Sequence, residues 1–244
     1  MKTIQCHNIS FPNIKAILFD KNGTLEDSEI YLCSLAQEAA RIIEAQIRGT
    51  GEPLLLAFGV KNSYLDPTGL ISVASRQEVE VATAAYIASN GKGWIESLCI
   101  AHQVLEEAEQ CLSNTITPLF DGVLPVLQKI SNAGLKLGIL SAATTREVNN
   151  FVTTHQLHSY FNLEMGVDKG PSKPDPRLFL QACQALEIEP KYTLMVGDSV
   201  ADMQMARNAN AAGSIGITWI DKPENVAGAD VVINQLHDIQ VFDY

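Results

Sequence analysis

The sequence is poor in cysteine, in positive charge and in long apolar runs. Its five cysteines, Cys6, Cys33, Cys99, Cys111 and Cys183, are odd in number and scattered, with no C-x-x-C pair. That pattern excludes a disulfide framework and gives no zinc site. Lys and Arg total 17 against 28 Asp and Glu, for a formal net charge of −11. A face that binds nucleic acid or an anionic membrane needs clustered cations, so both partners are excluded. The longest apolar patch, around Leu54–Phe58, is far too short to cross a bilayer. The opening segment Met1–His7 lacks the apolar core of a signal peptide, and the expected compartment is the cytoplasm. No internal repeat or low-complexity tract stands out.

What is present suits a folded chain: 244 residues, 46% hydrophobic and 18% charged, enough for a core domain that carries an insert. The short apolar segments Ile14–Phe19, Leu135–Leu140, Thr193–Val196 and Ser214–Trp219 read as buried strands, with Asp230–Ile233 a weaker fifth. Helical patterns lie between them at Val123–Ala133, Arg146–His155, Arg177–Leu186 and Ala201–Ala209. Strand alternating with helix predicts an α/β fold with a doubly wound parallel sheet. One stretch breaks the alternation. Glu29–Ile47, Arg76–Ser89 and Trp94–Leu112 carry apolar residues at helical spacing, with turns at Gly49–Pro53 and Asp66–Gly69 and caps at Asp27 or Ser28. The expected organisation is a core of residues 1–26 and 118–244, with 27–117 a helical insert after the first strand.

In doubly wound sheets, ligands bind beyond the carboxyl ends of the strands, so the polar residues there carry the chemistry. Asp20 follows the first strand, where its carboxylate can be a nucleophile or a metal ligand. Gly23 permits a tight turn behind it, and the Thr24 hydroxyl can orient a phosphate or the carboxylate. Ser141 follows the second strand; its hydroxyl and the next backbone N–H, at Ala142, can hold phosphoryl oxygens. Lys173, in Ser172-Lys173-Pro174-Asp175-Pro176, can place a fixed positive charge. Asp198 and Asp202 end a further strand four residues apart, a spacing that suits one hard cation such as Mg²⁺. Each signal alone is weak, since an Asp after a strand is most often a cap. Together, four strand ends supply nucleophile, hydroxyl, lysine and acidic pair for one phosphoryl-transfer pocket.

With those residues in this order, the sequence resembles the haloacid dehalogenase-like hydrolase superfamily, and within it the phosphatases related to phosphoglycolate phosphatase. The resemblance spans nearly the whole chain. It rests on Asp20-Lys21-Asn22-Gly23-Thr24, on Ser141, on Lys173 in Lys-Pro-Asp-Pro, and on Gly197-Asp198 through Asp202. It implies a Rossmann-like core, Mg²⁺ held by Asp20, the Asn22 main-chain carbonyl and Asp198, and Asp202 supporting the metal shell from outside it. It also implies a phosphoryl group carried on Asp20, a small phosphorylated metabolite as substrate, and an insert that acts as a mobile, substrate-selecting cap.

Asn22 departs from that pattern, because the related phosphatases carry a second Asp there as general acid and base. An amide cannot exchange a proton at useful pH, and loss of such a group costs about 10²–10⁴-fold in rate. Three readings stand open: an engineered Asp→Asn change, a natural residue with a slow enzyme or a water relay replacing the acid, or a phospholigand-binding protein that does not turn over. Elsewhere the plain reading prevails. Lys21 is expected to be exposed beside the pocket, Met195, Met203 and Met205 to fill the core, and Arg76 either to be solvated on its helix surface or to bind a substrate carboxylate in a bidentate way. His155 and His158 lack a third ligand nearby and are not taken as a metal pair.

Overall fold

The computed structural model of the protein describes residues 2–62, 64–219 and 222–243. Met1 and Tyr244, the ends of the expected core, lie outside them. The chain divides into two compact units, Met1–Asp27 with Pro118–Tyr244, and Ser28–Thr117.

The first unit opens with β1 (Lys2–Cys6), β2 (Ile9–Ile14) and β3 (Ala16–Phe19). The second unit then contributes α1 (Glu29–Gln46), α2 (Gly51–Phe58), β4 (Val60–Lys61), β5 (Tyr64–Leu65), α3 (Leu70–Val73), α4 (Arg76–Ser89) and α5 (Trp94–Cys111). Back in the first unit come α6 (Val123–Asn132), β6 (Lys136–Leu140), α7 (Thr145–Thr154), β7 (Leu163–Met165) and α8 (Pro176–Leu186). It closes with β8 (Thr193–Gly197), α9 (Val200–Asn208), β9 (Gly213–Ile217), β10 (Val231–Ile233) and β11 (Gln240–Asp243).

A six-stranded parallel sheet of order β10-β9-β8-β3-β6-β7 organises the first unit. Its inner strand β3 reads Ala-Ile-Leu-Phe, with every residue buried. Alternation along the strand sends Ile17 and Phe19 to one face, among Leu137, Val196 and the α6 and α7 residues Val126, Ile130 and Val148. Ala16 and Leu18 go to the other, among Met195, Met205 and the α8 residues Phe179 and Ala182. Helices cover both faces, which is why these strands are apolar throughout. From β3 the chain runs outward to β6 and β7, then crosses to β8, β9 and β10 on the other side. The reversal beside β3 opens a crevice at the carboxyl ends of β3, β6 and β8.

The expected strand Ile14–Phe19 proves to be two. Ile14 ends β2, and Lys15 separates it from β3. β2 belongs to a three-stranded antiparallel sheet of order β11-β1-β2, with His7 (φ 51) in the turn between Cys6 and Ile9. Ile4, Cys6, Phe11 and Ile14 join the main core. This sheet escapes the sequence because a register shift between Lys2 and Ile4 spaces the buried Phe11 and Ile14 three apart, not two. The three-residue β7, only half-buried, is too short to show a period.

In the second unit, Leu35, Ala39 and Ile43 of α1 pack with Leu54, Phe58, Ile87 and Leu105 in a separate core. The turn expected at Gly49–Pro53 instead leads into a helix, because α2 starts at Gly51. Pro53 fits its first turn, where backbone N–H groups have no helical acceptor. Ser28 takes the N-cap position of α1, without a side-chain capping bond. No described helix is long and apolar enough to cross a membrane.

Candidate active site

Asp20 leaves β3 with its N–H donating to the Val196 carbonyl at 2.8 Å, so the first loop is tied to β8. Its carboxylate Oδ1 accepts from Lys173 Nζ at 2.5 Å, and the same ammonium lies 2.7 Å from Asp202 Oδ1. Both carboxylates and the ammonium are buried. Asp20, Asp198 and Asp202 each bring a carboxylate oxygen within 4.8 Å of the others, the one such cluster of acidic, His or Cys donors among the described residues.

Local sequence explains this convergence. Ser199 caps α9 in a reciprocal capping box, and its hydroxyl donates to Asp202 Oδ2 at 2.6 Å. The helix start therefore aims Asp202 at Lys173. Gly197 is required there, since a Cβ would stand 2.4 Å from the Asp202 Cγ. Gly23 adopts φ +72, and a Cβ on it would meet Asp198 Oδ2 at 2.0 Å. The two loops thus pack backbone against carboxylate.

The electrostatics are unbalanced. Burial raises Asp20 above the ordinary carboxylate range; Lys173 opposes that and Asp202 reinforces it. Asp198 is pushed well above its usual range by burial, then by Asp20 and Asp202. Burial works to lower Lys173, but Asp20 and Asp202 outweigh it and hold the ammonium charged. One ammonium faces three carboxylates. An all-oxygen donor set short of positive charge fits a hard divalent cation.

The remaining expected residues lie on the same edge. Ser141, buried at the end of β6, accepts from the Ala143 N–H at 3.2 Å, with the half-buried Ala142 between them. Thr24 is fully buried, and its hydroxyl has no hydrogen-bond partner among the described residues. Asn22 is half-buried, and its Oδ1 accepts from Lys21 Nζ.

Lys21 corrects an expectation. It is buried, not exposed, and pairs with the equally buried Glu26, with the Phe151 ring centroid 5.5 Å from Nζ. The chain doubles back between them, since the Leu25 and Glu26 N–H groups both donate to the Lys21 carbonyl. Opposite charges flanking a glycine turn were the available signal. Trp219 was also missed: its indole N–H donates to the Gly23 carbonyl at 2.9 Å, and its ring stacks on Phe120 at 4.2 Å. Arg76 is paired with Glu80 and Glu109 in the second unit, while Met195, Met203 and Met205 are core residues. His158 bonds to Glu164 and Thr153, and neither it nor His155 joins the acidic cluster.

Residues 14–210 match the family model described as haloacid dehalogenase-like hydrolase. The chain is 29% identical to the phosphoglycolate phosphatase of Psychrobacter arcticus over 205 residues, 83% of each protein. It is 28% identical to the N-acetylmuramic acid 6-phosphate phosphatase of Pseudomonas putida, over 91% of this chain and 92% of that protein. Among solved structures, a predicted phosphoglycolate phosphatase from Haemophilus somnus superposes with a TM-score of 0.70 at 18% identity, covering 93% of this chain and 96% of that one. A β-phosphoglucomutase from Clostridium difficile does so with a TM-score of 0.69 at 19% identity, over 93% of both chains.

Proposed function

Because the chain belongs to the haloacid dehalogenase-like hydrolase family, it is a phosphatase-type hydrolase, and we propose that it cleaves a small phosphate monoester by way of a phosphoryl group carried on Asp20. The observation that carries this reading is Lys173 bridging Asp20 and Asp202 inside a cluster of three carboxylates. A carboxylate that must approach an anionic ester needs its own charge offset, and Lys173 sits against it for that purpose. Asp20 attacks phosphorus in line. The Ser141 hydroxyl, the Ala142 N–H, the Thr24 hydroxyl and Lys173 hold the phosphoryl oxygens. The buried, unpartnered Thr24 hydroxyl supports that assignment, because a native fold rarely strands such a group.

Mg²⁺ is the cation that the donor set fits best, held by Asp20, the Asn22 main-chain carbonyl and Asp198, with Asp202 supporting the shell through Lys173. When bound, it supplies positive charge that offsets the phosphoryl oxygens. The Asn22 amide can neither release a proton to the leaving group nor take one from water at useful pH. Release of phosphate from Asp20 is therefore slow, by about 10²–10⁴-fold relative to a carboxylate at that position. The names of the relatives support a small phosphorylated metabolite as substrate, and the cysteine pattern supports a cytoplasmic setting.

Rapid mixing with Mg²⁺ and para-nitrophenyl phosphate tests the reading. One equivalent of nitrophenol should appear per site in a burst, followed by slow turnover, and Asp20→Ala should abolish both. Asn22 also favours a second reading, a phospholigand-binding protein without turnover. In that case phosphate esters would raise the melting temperature while neither burst nor turnover appeared.

A further inference from the structure

The cation site of the proposed function, on which this inference rests, needs Asp20 and Asp198 held in a fixed relation. We infer that the buried ion pair of Lys21 with Glu26 is the positioning device that holds them. Residues 21–26 form a closed ring. The Leu25 and Glu26 N–H groups donate to the Lys21 carbonyl at 2.9 and 3.0 Å, and the Gly23 N–H donates to the Glu26 carbonyl at 2.9 Å. The Lys21 and Glu26 side chains, both buried, link the two ends of the ring, and the same ammonium donates to Asn22 Oδ1. Asp20, at the stem, is fixed to β8 through the Val196 carbonyl. Gly23, at the tip, lies so close to Asp198 that a Cβ on it would stand 2.0 Å from Oδ2. A second path ends at the same tip. The Phe120 N–H donates to the Leu25 carbonyl at 3.1 Å, Phe120 stacks on Trp219, and the Trp219 indole donates to the Gly23 carbonyl. The ring thus joins two members of the acidic cluster, and its shape sets what Asp198 packs against.

Stability alone does not call for charges in that place. An apolar pair of similar volume is often as stable in a buried site, or more so, because both ions must be stripped of water. What the charged groups add is direction. The ammonium serves Glu26 and Asn22 Oδ1 at once, so the ring has one favoured geometry, which a contact between two apolar side chains does not impose. The pair also permits a clean test. Removing both charges together leaves the net charge beside the acidic cluster unchanged, so a change in cation affinity then reports geometry rather than a lost field.

The test is the Mg²⁺ dissociation constant of two double variants, from titration calorimetry and from the rise of Tm with Mg²⁺ concentration. The apolar variant, Lys21→Met with Glu26→Leu, should keep or raise the parent's Tm in EDTA. It should nevertheless bind Mg²⁺ about 10–100-fold more weakly, the usual loss when a group that orients metal ligands is removed. The amide variant, Lys21→Gln with Glu26→Gln, keeps a hydrogen bond across the ring without charge and should lose less than about tenfold. Parent-like affinity in the apolar variant makes the pair a structural feature only and overturns the inference. An equal loss in both variants overturns it too, by assigning the effect to the charges themselves. If the apolar variant does not fold, the amide variant decides: affinity near the parent's supports the inference, and a loss of about tenfold or more overturns it. In all these cases the phosphatase reading stands. A parent chain whose Tm ignores Mg²⁺ removes the cation site from that reading, and this inference with it.

Discussion

At the scale of single residues, the site concentrates unlike-charged groups where burial makes each one costly. Lys173 neutralises part of a three-carboxylate cluster, and removing it strands Asp20 and Asp202. Lys173→Met should therefore cost about 3–5 kcal/mol in urea unfolding, well beyond the loss of an exposed ion pair. The converse holds for Asp198, which burial and two neighbouring carboxylates push upward. Asp198→Asn should stabilise the protein in EDTA by about 1 kcal/mol or more, a Tm gain of about 2–4 °C, while Mg²⁺ ceases to raise Tm. Equal Tm values in EDTA would show that the carboxylate carries no such penalty. The thiols give a pH dependence. Burial, helped by Asp238, raises Cys6 from 9.0 to about 12, and burial raises Cys183 to about 11. Below pH 9 both states keep these protons and nothing changes. Above it the unfolded chain ionises first, so stability falls as pH rises until the folded thiols titrate in turn. Cys6→Ala should flatten that alkaline decline in denaturation curves recorded from pH 8 to 11. Asp20, Ser141, Lys173 and Asp198 were legible in sequence because each follows an apolar run or a proline-bounded turn. Lys21 was legible only in part: opposite charges flank the Gly23 turn, but their spacing does not say that the pair is buried.

Among elements, the loop after β3 shows how backbone contacts do work that no motif reveals. The Trp219 indole reaches from the end of β9 to the Gly23 carbonyl, and Gly23 in turn lies against Asp198. Trp219→Phe keeps a ring to stack on Phe120 but drops the hydrogen bond. It should cost about 0.5–1.5 kcal/mol and weaken Mg²⁺-induced stabilisation, whereas a purely packing role would leave the latter unchanged. The parallel strands could be read from sequence because they are apolar on both faces. The β11-β1-β2 sheet could not, because its pairing joins the two ends of the chain and its register shift breaks the two-residue period. The helix of Gly51–Phe58 was hidden for a different reason: Gly and Pro signal a turn, yet both fit its first turn.

For the molecule as a whole, the decisive fact is that every group of the candidate site belongs to the first unit. Asp20, Asn22, Thr24, Ser141, Lys173, Asp198 and Asp202 all lie in Met1–Asp27 or Pro118–Tyr244. The second unit has an apolar core of its own, made of residues separate from those of the first unit's core. The chain leaves and re-enters the first unit at adjacent points, since the Asp27 N–H donates to the Pro118 carbonyl at 2.9 Å. Replacing residues 28–117 with a short glycine–serine linker therefore shortens a loop whose ends already meet, and loop closure does not oppose it. The excised protein should unfold in one cooperative transition and keep a Tm that rises with Mg²⁺. A chain that lost near-ultraviolet circular dichroism, or whose Tm ignored Mg²⁺, would show that the insert supplies part of the core or of the cation site. Retention of both would place the fold and the cation site in the α/β unit alone.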